Sequence, residues 1–162
     1  MSDLPGWVKH TTVWLVLGLG LTLGIQAWQS RAKASRFVAQ AGTVSIERDG
    51  DGHYRWPGRV ADREIDFLVD TGATASAIPL ALAQQLGLKV VGTVQSQTAG
   101  GLVTGSVVIA DLELQGGVRV ERMRLTALPG LGTPLLGMDV LGRLRWQQDA
   151  GRLRVDTGGA TQ

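Results

Sequence analysis

Residues 11–28, TTVWLVLGLGLTLGIQAW, carry no charged side chain. Their apolar positions cover the whole circumference of a helix, which suits a lipid environment better than one packed face. Eighteen helical residues span about 27 Å, enough for a bilayer's hydrocarbon core. Trp14 and Trp28 stand near the two ends, where indoles favour the headgroup level. Beyond Thr43 the pattern changes to the two-residue period of strands. TVSIERD and HYRWPGRV flank the turn-rich DGDG of Asp49–Gly52, predicting a hairpin. REIDFLVD is a third strand. PLALAQQLG, with Pro at its start and Gly at its end, predicts the first helix of the domain. A second hairpin follows around Gly100–Gly101. VRVERMRLTAL is a strand whose alternation slips near Arg122–Met123, predicting a bulge. TPLLGMDVLGRL gives a short apolar strand and a helical turn, and LRWQQDAGRLRVD closes the chain as a last hairpin.

This pattern divides the chain into a tail (1–10), a transmembrane helix (11–28) and a juxtamembrane linker or helical continuation (29–42). A mostly β domain with two short helices follows (43–157), then a disordered C-terminus (158–162). A cleaved signal peptide is the alternative for the apolar run, since Lys9 precedes it and AKA (Ala32–Ala34) is A-x-A-like. That triplet has a lysine at its centre and lies well past the apolar residues, so an anchor is preferred. Orientation is contested. Arg31, Lys33 and Arg36 outnumber Lys9, which favours a cytoplasmic domain, while the short tail and signal-like layout favour an extracytoplasmic one. The second is the expectation adopted.

Composition removes several chemistries. The 162 residues include no Cys, so disulfides, thiolate metal sites and cysteine nucleophiles are excluded. With only His10 and His53 available, a Ser-His-Asp triad or a multi-histidine metal site is disfavoured. Residues 1–40 carry Lys9, Arg31, Lys33 and Arg36 against Asp3, whereas the remainder holds slightly more acidic than basic side chains. The folded part therefore has no positive excess for a phosphate backbone, and nucleic-acid binding is not expected. The 23 glycines and 5% aromatics fit short strands and tight turns.

The tetrapeptide VDTG occurs twice, as FLVDTGATASAIP (Phe67–Pro79) and as LRVDTGGATQ (Leu153–Gln162). Asp-Thr-Gly alone is ordinary turn vocabulary. Asp70, however, follows the apolar run Phe67–Val69 and precedes a small-residue segment leading to a helix, and LLGMDVLG later repeats the theme of apolar pair, glycine and helix. Asp156 has no apolar triplet before it and only four residues after Gly158. It reads as a solvated terminus.

FLVDTGATASAIP, a Gly-tipped hairpin and LLGMDVLGRL together resemble the retropepsin-type aspartic proteases. The resemblance covers roughly Gly52–Val155 and is greatest to the bacterial branch, whose members carry one N-terminal membrane anchor. It implies an all-β, closed retropepsin-like barrel with two short helices, preceded by a transmembrane helix. It implies that Asp70 is the catalytic carboxylate and that Thr71 locks two active-site loops across a dimer axis. Gly72 and Ala73 would complete the tight turn. Leu136 and Gly137 would pack beneath the catalytic loop, and Ala99, Gly100 and Gly101 would tip a mobile flap against substrate.

Peptide hydrolysis by this chemistry needs two carboxylates sharing one proton across a water, one acting as base and one as acid. With one such Asp per chain, the resemblance implies a homodimer, a peptide or protein substrate, and no cofactor or metal. The implied location is the bacterial inner membrane, single-pass, with a periplasmic protease domain. Asp139 reads as a residue of a helix N-terminus rather than as the partner carboxylate. DGDG lacks the further ligands of a calcium loop and reads as a plain turn. Arg119, Arg122 and Arg124 beside Glu121 read as a solvated face, and His53 as structural. A second reading, from a different class, is a retropepsin-like module that keeps the fold for binding or dimerisation without catalysis; the intact Asp-Thr-Gly weighs against it. An unrelated anchored β-domain is a third.

Overall fold

A computed structural model describes Trp14 and residues 17–24, 37–40, 42–98 and 100–158, the side chains of 37–40 excepted. The chain divides into two compact units, Met1–Arg36 and Phe37–Gln162. In the first, residues 17–24 are helical, and Leu17, Leu19, Leu21 and Leu23 are all exposed. Half of the expected span 11–28 lies outside the described residues, among which no helix is long and apolar enough to cross a membrane.

Among its described residues the second unit holds eleven strands in two sheets. β1 (Phe37–Gln40), β2 (Thr43–Glu47), β10 (Arg145–Asp149) and β11 (Arg152–Asp156) form one sheet, in the order β1-β2-β11-β10. The other contains β3 (Arg55–Val60), β4 (Arg63–Val69), β5 (Ala77–Pro79), β6 (Lys89–Thr98), β7 (Gly101–Leu114), β8 (Val118–Leu128) and β9 (Leu135–Leu136). Its order is β3-β4-β9-β5-β8-β7-β6, and an additional β3–β7 pairing closes six of the strands into a barrel. Two short helices, α1 (Leu80–Gln85) and α2 (Met138–Leu141), complete the unit.

Alternation explains which face each strand buries. Val44 and Ile46 of β2 and Leu153 and Val155 of β11 point inward, and their neighbours do not. Trp56, Phe67, Ile78, Leu112, Leu114, Leu125, Leu136 and Leu141 are fully buried in the common core. Trp56 also donates its indole N–H to the Gln115 carbonyl at 2.8 Å, so the largest core side chain leaves no buried donor unpaired. Closure of the barrel depends on Gly58, which faces Leu114 across the β3–β7 seam. A Cβ there would lie 2.6 Å from the Glu113 carbonyl oxygen and 2.8 Å from Leu114 Cδ2. Any other residue would push the two strands apart.

Most predicted elements stand where the pattern puts them, including the bulge. Glu121 and Arg122 together oppose Asp111, Arg122 has φ of 50°, and its amide donates to Asp111 Oδ1 at 2.7 Å. The first hairpin is a correction. β2 and β3 do not pair, because β1 and β11 occupy both edges of β2. DGDG instead carries the chain from one sheet to the other. There Arg55 grips Asp49 and Asp51, each at 2.6 Å, and His53 lies exposed in the turn rather than on a strand. A second difference is β1, a strand inside the segment read as linker, paired with β2 from Phe37↔Ile46 to Gln40↔Thr43.

Candidate active site

β4 ends at Val69, and its last two residues run parallel to β9, Leu68 beside Leu135 and Val69 beside Leu136. Two buried-face strands side by side leave Asp70 at their common C-terminal end. The Asp70 amide continues the ladder, donating to the Leu136 carbonyl at 3.0 Å. The chain then turns sharply. Gly72 N–H donates to Asp70 Oδ1 at 2.9 Å, and Ala73 N–H to the Asp70 carbonyl at 3.3 Å. One carboxylate oxygen is thus held by the turn that follows it, an arrangement short polar side chains favour. Asp70 and Ala73 are half-buried, while Thr71, Gly72 and Thr74 are exposed.

A second set of bonds laces this loop to the segment after β9. Met138 N–H donates to the Ala73 carbonyl at 2.8 Å, and Asp139 N–H to that of Thr74 at 3.1 Å. Gly137 lies so close beneath the loop that a Cβ would meet the Ala75 carbonyl carbon at 2.6 Å and the Ala73 oxygen at 2.9 Å. Ser76 is fully buried and ties the layers together. Its amide and hydroxyl donate to Asp139 Oδ2 and Oδ1, at 2.9 and 2.7 Å, and its Oγ accepts the Gly137 N–H at 2.9 Å. Asp139 is in the first turn of α2 as expected, and it also clamps the loop. Sequence reasoning missed the Ser76–Asp139 pair. The signal was a lone serine in an otherwise small and apolar run leading into β5.

The fold thus brings Asp70, Thr71, Gly72 and Ala73 together with Leu136 and Gly137. Gly100 and Gly101 lie apart from them, at the tip of the β6–β7 hairpin, where Thr98 pairs with Gly101 and its hydroxyl donates to the Gly101 carbonyl at 2.8 Å. Gly101 has φ of 108°, a conformation glycine adopts without strain, and the adjoining Leu102 is 67% exposed. Ala99 lies outside the described residues.

The second VDTG forms the same turn in another setting. Gly158 N–H donates to Asp156 Oδ1 at 3.0 Å, matching the Gly72–Asp70 bond. Asp156, however, ends β11, is exposed, and lies in the sheet with β2 and β10. Thr157 N–H bonds to the Gly42 carbonyl at 2.8 Å, and among the described residues this turn has no counterpart of the Met138 and Asp139 amides that bond the Ala73 and Thr74 carbonyls.

Comparison with known proteins agrees with this geometry. A family model described as aspartyl protease matches residues 56–140, more than half of the chain. Among solved structures, the chain is similar to a retropepsin-like aspartic protease from Rickettsia conorii at 25% identity and a TM-score of 0.56, over 74% of this chain and 94% of that one. It is also similar in fold to the EIAV protease, solved with the inhibitor HBY-793, at 18% identity and a TM-score of 0.53, over 60% of this chain and 93% of that one. No curated protein matches it. The closed barrel and the family match together place the chain among the aspartyl proteases as a retropepsin-type aspartic endopeptidase.

Proposed function

We propose that the active enzyme is a membrane-anchored homodimer in which the Asp70 carboxylates of two protomers activate one water for peptide-bond hydrolysis. The observation that carries this reading is the lacing of the Asp70 turn onto Leu136, Gly137 and Asp139, which the Asp156 turn lacks. One such carboxylate per chain requires a second chain about a twofold axis.

Two carboxylates held close cannot both ionise readily, so the pair keeps one proton. The ionised Asp70 takes a proton from the water as the oxygen attacks the scissile carbonyl carbon. The protonated Asp70 gives its proton to the carbonyl oxygen. Collapse of the tetrahedral intermediate, with a proton delivered to the leaving nitrogen, breaks the C–N bond and returns the shared proton. In each protomer the Gly72 amide orients Oδ1, and exposed Thr71 is available to the facing loop. Gly100 and Gly101 on the hairpin tip fit a flap closing over an extended peptide.

The uncharged run 11–28, with exposed leucines on helix 17–24, supports an N-terminal anchor. The proposed location is the bacterial inner membrane, with the protease domain in the periplasm. Anchoring would raise the local concentration of protomers. The test is cleavage of a peptide library by the full-length chain and by Asp70→Asn, with rate and sedimentation followed across a dilution series. Asp70→Asn should abolish activity with the dimer intact, and specific activity should fall as the dimer dissociates. A fully active monomer would refute the two-chain dyad.

A further inference from the structure

β6 is the edge strand of the seven-stranded sheet, and its first residues present apolar side chains to solvent, Val90 being 56% and Val91 40% exposed. Lys89 lies opposite Ile109 of β7, and Ile109 lies opposite Arg124 of β8. In the adjoining row Gly92 faces Val107, and Val107 faces Thr126. Val107 and Ile109 alternate with buried Val108 and Ala110, and Arg124 stands between buried Met123 and Leu125, so these side chains share the outer face. The two rows therefore hold two cations, an aliphatic floor and no carboxylate. Neither Lys89 nor Arg124 enters an ion pair among the described residues. The next row adds Arg122 against Asp111 and Glu121, and the face as a whole stays net positive. The folded part overall carries slightly more acidic than basic side chains, so this charge is a local feature and not the overflow of a basic surface.

We infer that this corner docks the protease domain on anionic lipid headgroups, Lys89 and Arg124 meeting phosphates while Val90 and Val91 enter the boundary of the acyl region. The inference rests on the membrane-anchored reading above. Val91 is the extra residue of a β-bulge between Val90 and Gly92. A bulge and a lysine at an edge both obstruct the addition of another strand. A partner here is therefore met by side chains and not through backbone pairing, which favours a lipid surface over an extended peptide. Basic residues rimming an aliphatic patch are the composition by which interfacial segments hold anionic bilayers. The two cations contribute about fivefold each to binding. That is too little to hold a free domain but enough for a tethered one, whose local concentration at the surface is already high. β6 continues from this corner to Thr98 beside the proposed flap tip, so the docked corner is the fixed end of that hairpin.

The test places the full-length chain in nanodiscs of phosphatidylcholine, alone or mixed with phosphatidylglycerol. The chain has no native cysteine, so Val91→Cys carries a single fluorophore, read against a quencher attached to the lipid. Quenching should be strong with phosphatidylglycerol, weak with phosphatidylcholine alone, and reversed by high salt. Adding Lys89→Gln and Arg124→Gln should lower the ratio of docked to free domain about twenty-five-fold. Peptide cleavage by this double variant in detergent should stay at the wild-type rate, which excludes a folding defect. An anchored chain whose label is unquenched, or quenched regardless of lipid charge and of both substitutions, overturns the docking corner and leaves the anchor standing. Flotation with phosphatidylglycerol vesicles only refutes the anchor, and the double variant then decides the corner: flotation lost upholds it, flotation kept overturns it. Flotation with neither lipid refutes both. Polyglutamate bound by the wild type and not by the double variant, with no quenching by lipid, would overturn the lipid contact and assign the face to an acidic protein.

Discussion

Asp139 accepts hydrogen bonds from the amide and the hydroxyl of Ser76, at 2.9 and 2.7 Å, across 63 residues of sequence. Ser76 Oγ in turn accepts the Gly137 amide at 2.9 Å. One buried hydroxyl therefore joins the loop that carries Asp70 to the strand and helix beneath it. A carboxylate engaged by two donors is committed to structure, so Asp139 is a positioning group and not the dyad's second acid.

Ser76→Ala leaves the Gly137 amide and one Asp139 oxygen without their partner in a buried site. A loss of about 1–3 kcal/mol is expected, measurable as a lower urea midpoint at unchanged slope. Because Ala73 and Thr74 hang from the same layer, kcat should fall more than KM rises. Unchanged stability and kcat would mean the clamp is dispensable.

Asp156→Asn should match wild type in activity, since Asp156 is exposed and lies in the other sheet, away from the Asp70 loop. Truncation after Val155 removes the Thr157–Gly42 hydrogen bond and the Asp156↔Thr43 pairing. Its cost should be about 1 kcal/mol, with turnover retained. Loss of activity in Asp156→Asn alone would show that the two tetrapeptides have been assigned the wrong roles.

Ala73 is half-buried in the Asp70 turn, its amide bonded to the Asp70 carbonyl at 3.3 Å, and its side chain carries no hydroxyl. A donor to a charged acceptor favours the ionised form. In the proposed two-chain dyad the profile of kcat/KM should be a bell. Ala73→Ser should move the acid limb to lower pH. The neighbouring Thr74 hydroxyl is a second source of such a bond, so Thr74→Val belongs in the same series. An acid limb that stays in place in Ala73→Ser would refute the hydroxyl argument.

Arg55 donates to Asp51 and Asp49, and the hydrogen bond from Arg55 draws the Asp51 carboxyl down from 3.8 to about 2. The same partners push the Arg55 guanidinium above its ordinary range. A carboxyl depressed by folding contributes stability above its unfolded pKa and loses it as pH falls through the folded one. Arg55→Met should therefore be less stable than wild type above about pH 4, with the gap narrowing towards about pH 2. Asp51 is nearly half exposed, so the gap should also shrink in high salt. Thermal melts across pH 2–7 at two ionic strengths would show a constant gap if the pair contributes nothing.

Local pattern made the Asp70 loop, the β6–β7 hairpin, α1 and the bulge at Arg122 legible, because each is encoded within about a dozen neighbouring residues. Partnership between distant segments was not legible in the same way. DGDG looks like a hairpin turn in either setting, and its two strands separate because β11, about a hundred residues later, takes the edge of β2. Gly58 reads as one glycine among 23 until β7 is laid against it. Ser76 and Asp139 each have an ordinary local reading, and their bond exists only once β5 and β9 adjoin. Within the resemblance, the apolar pair and glycine at Leu135–Gly137 were informative because they record that distant packing in sequence.

The two VDTG turns give the molecule an internal reference. They share a tetrapeptide and an Asx bond of almost the same length, and they differ in what lies beneath. In a single sample with carboxyl-labelled aspartate, the Asp156 signal would trace the bare turn under the same buffer, temperature and salt as Asp70. Subtracting one titration curve from the other removes everything the tetrapeptide itself contributes, and the remainder is what the barrel and, in the proposed dimer, a facing protomer would add.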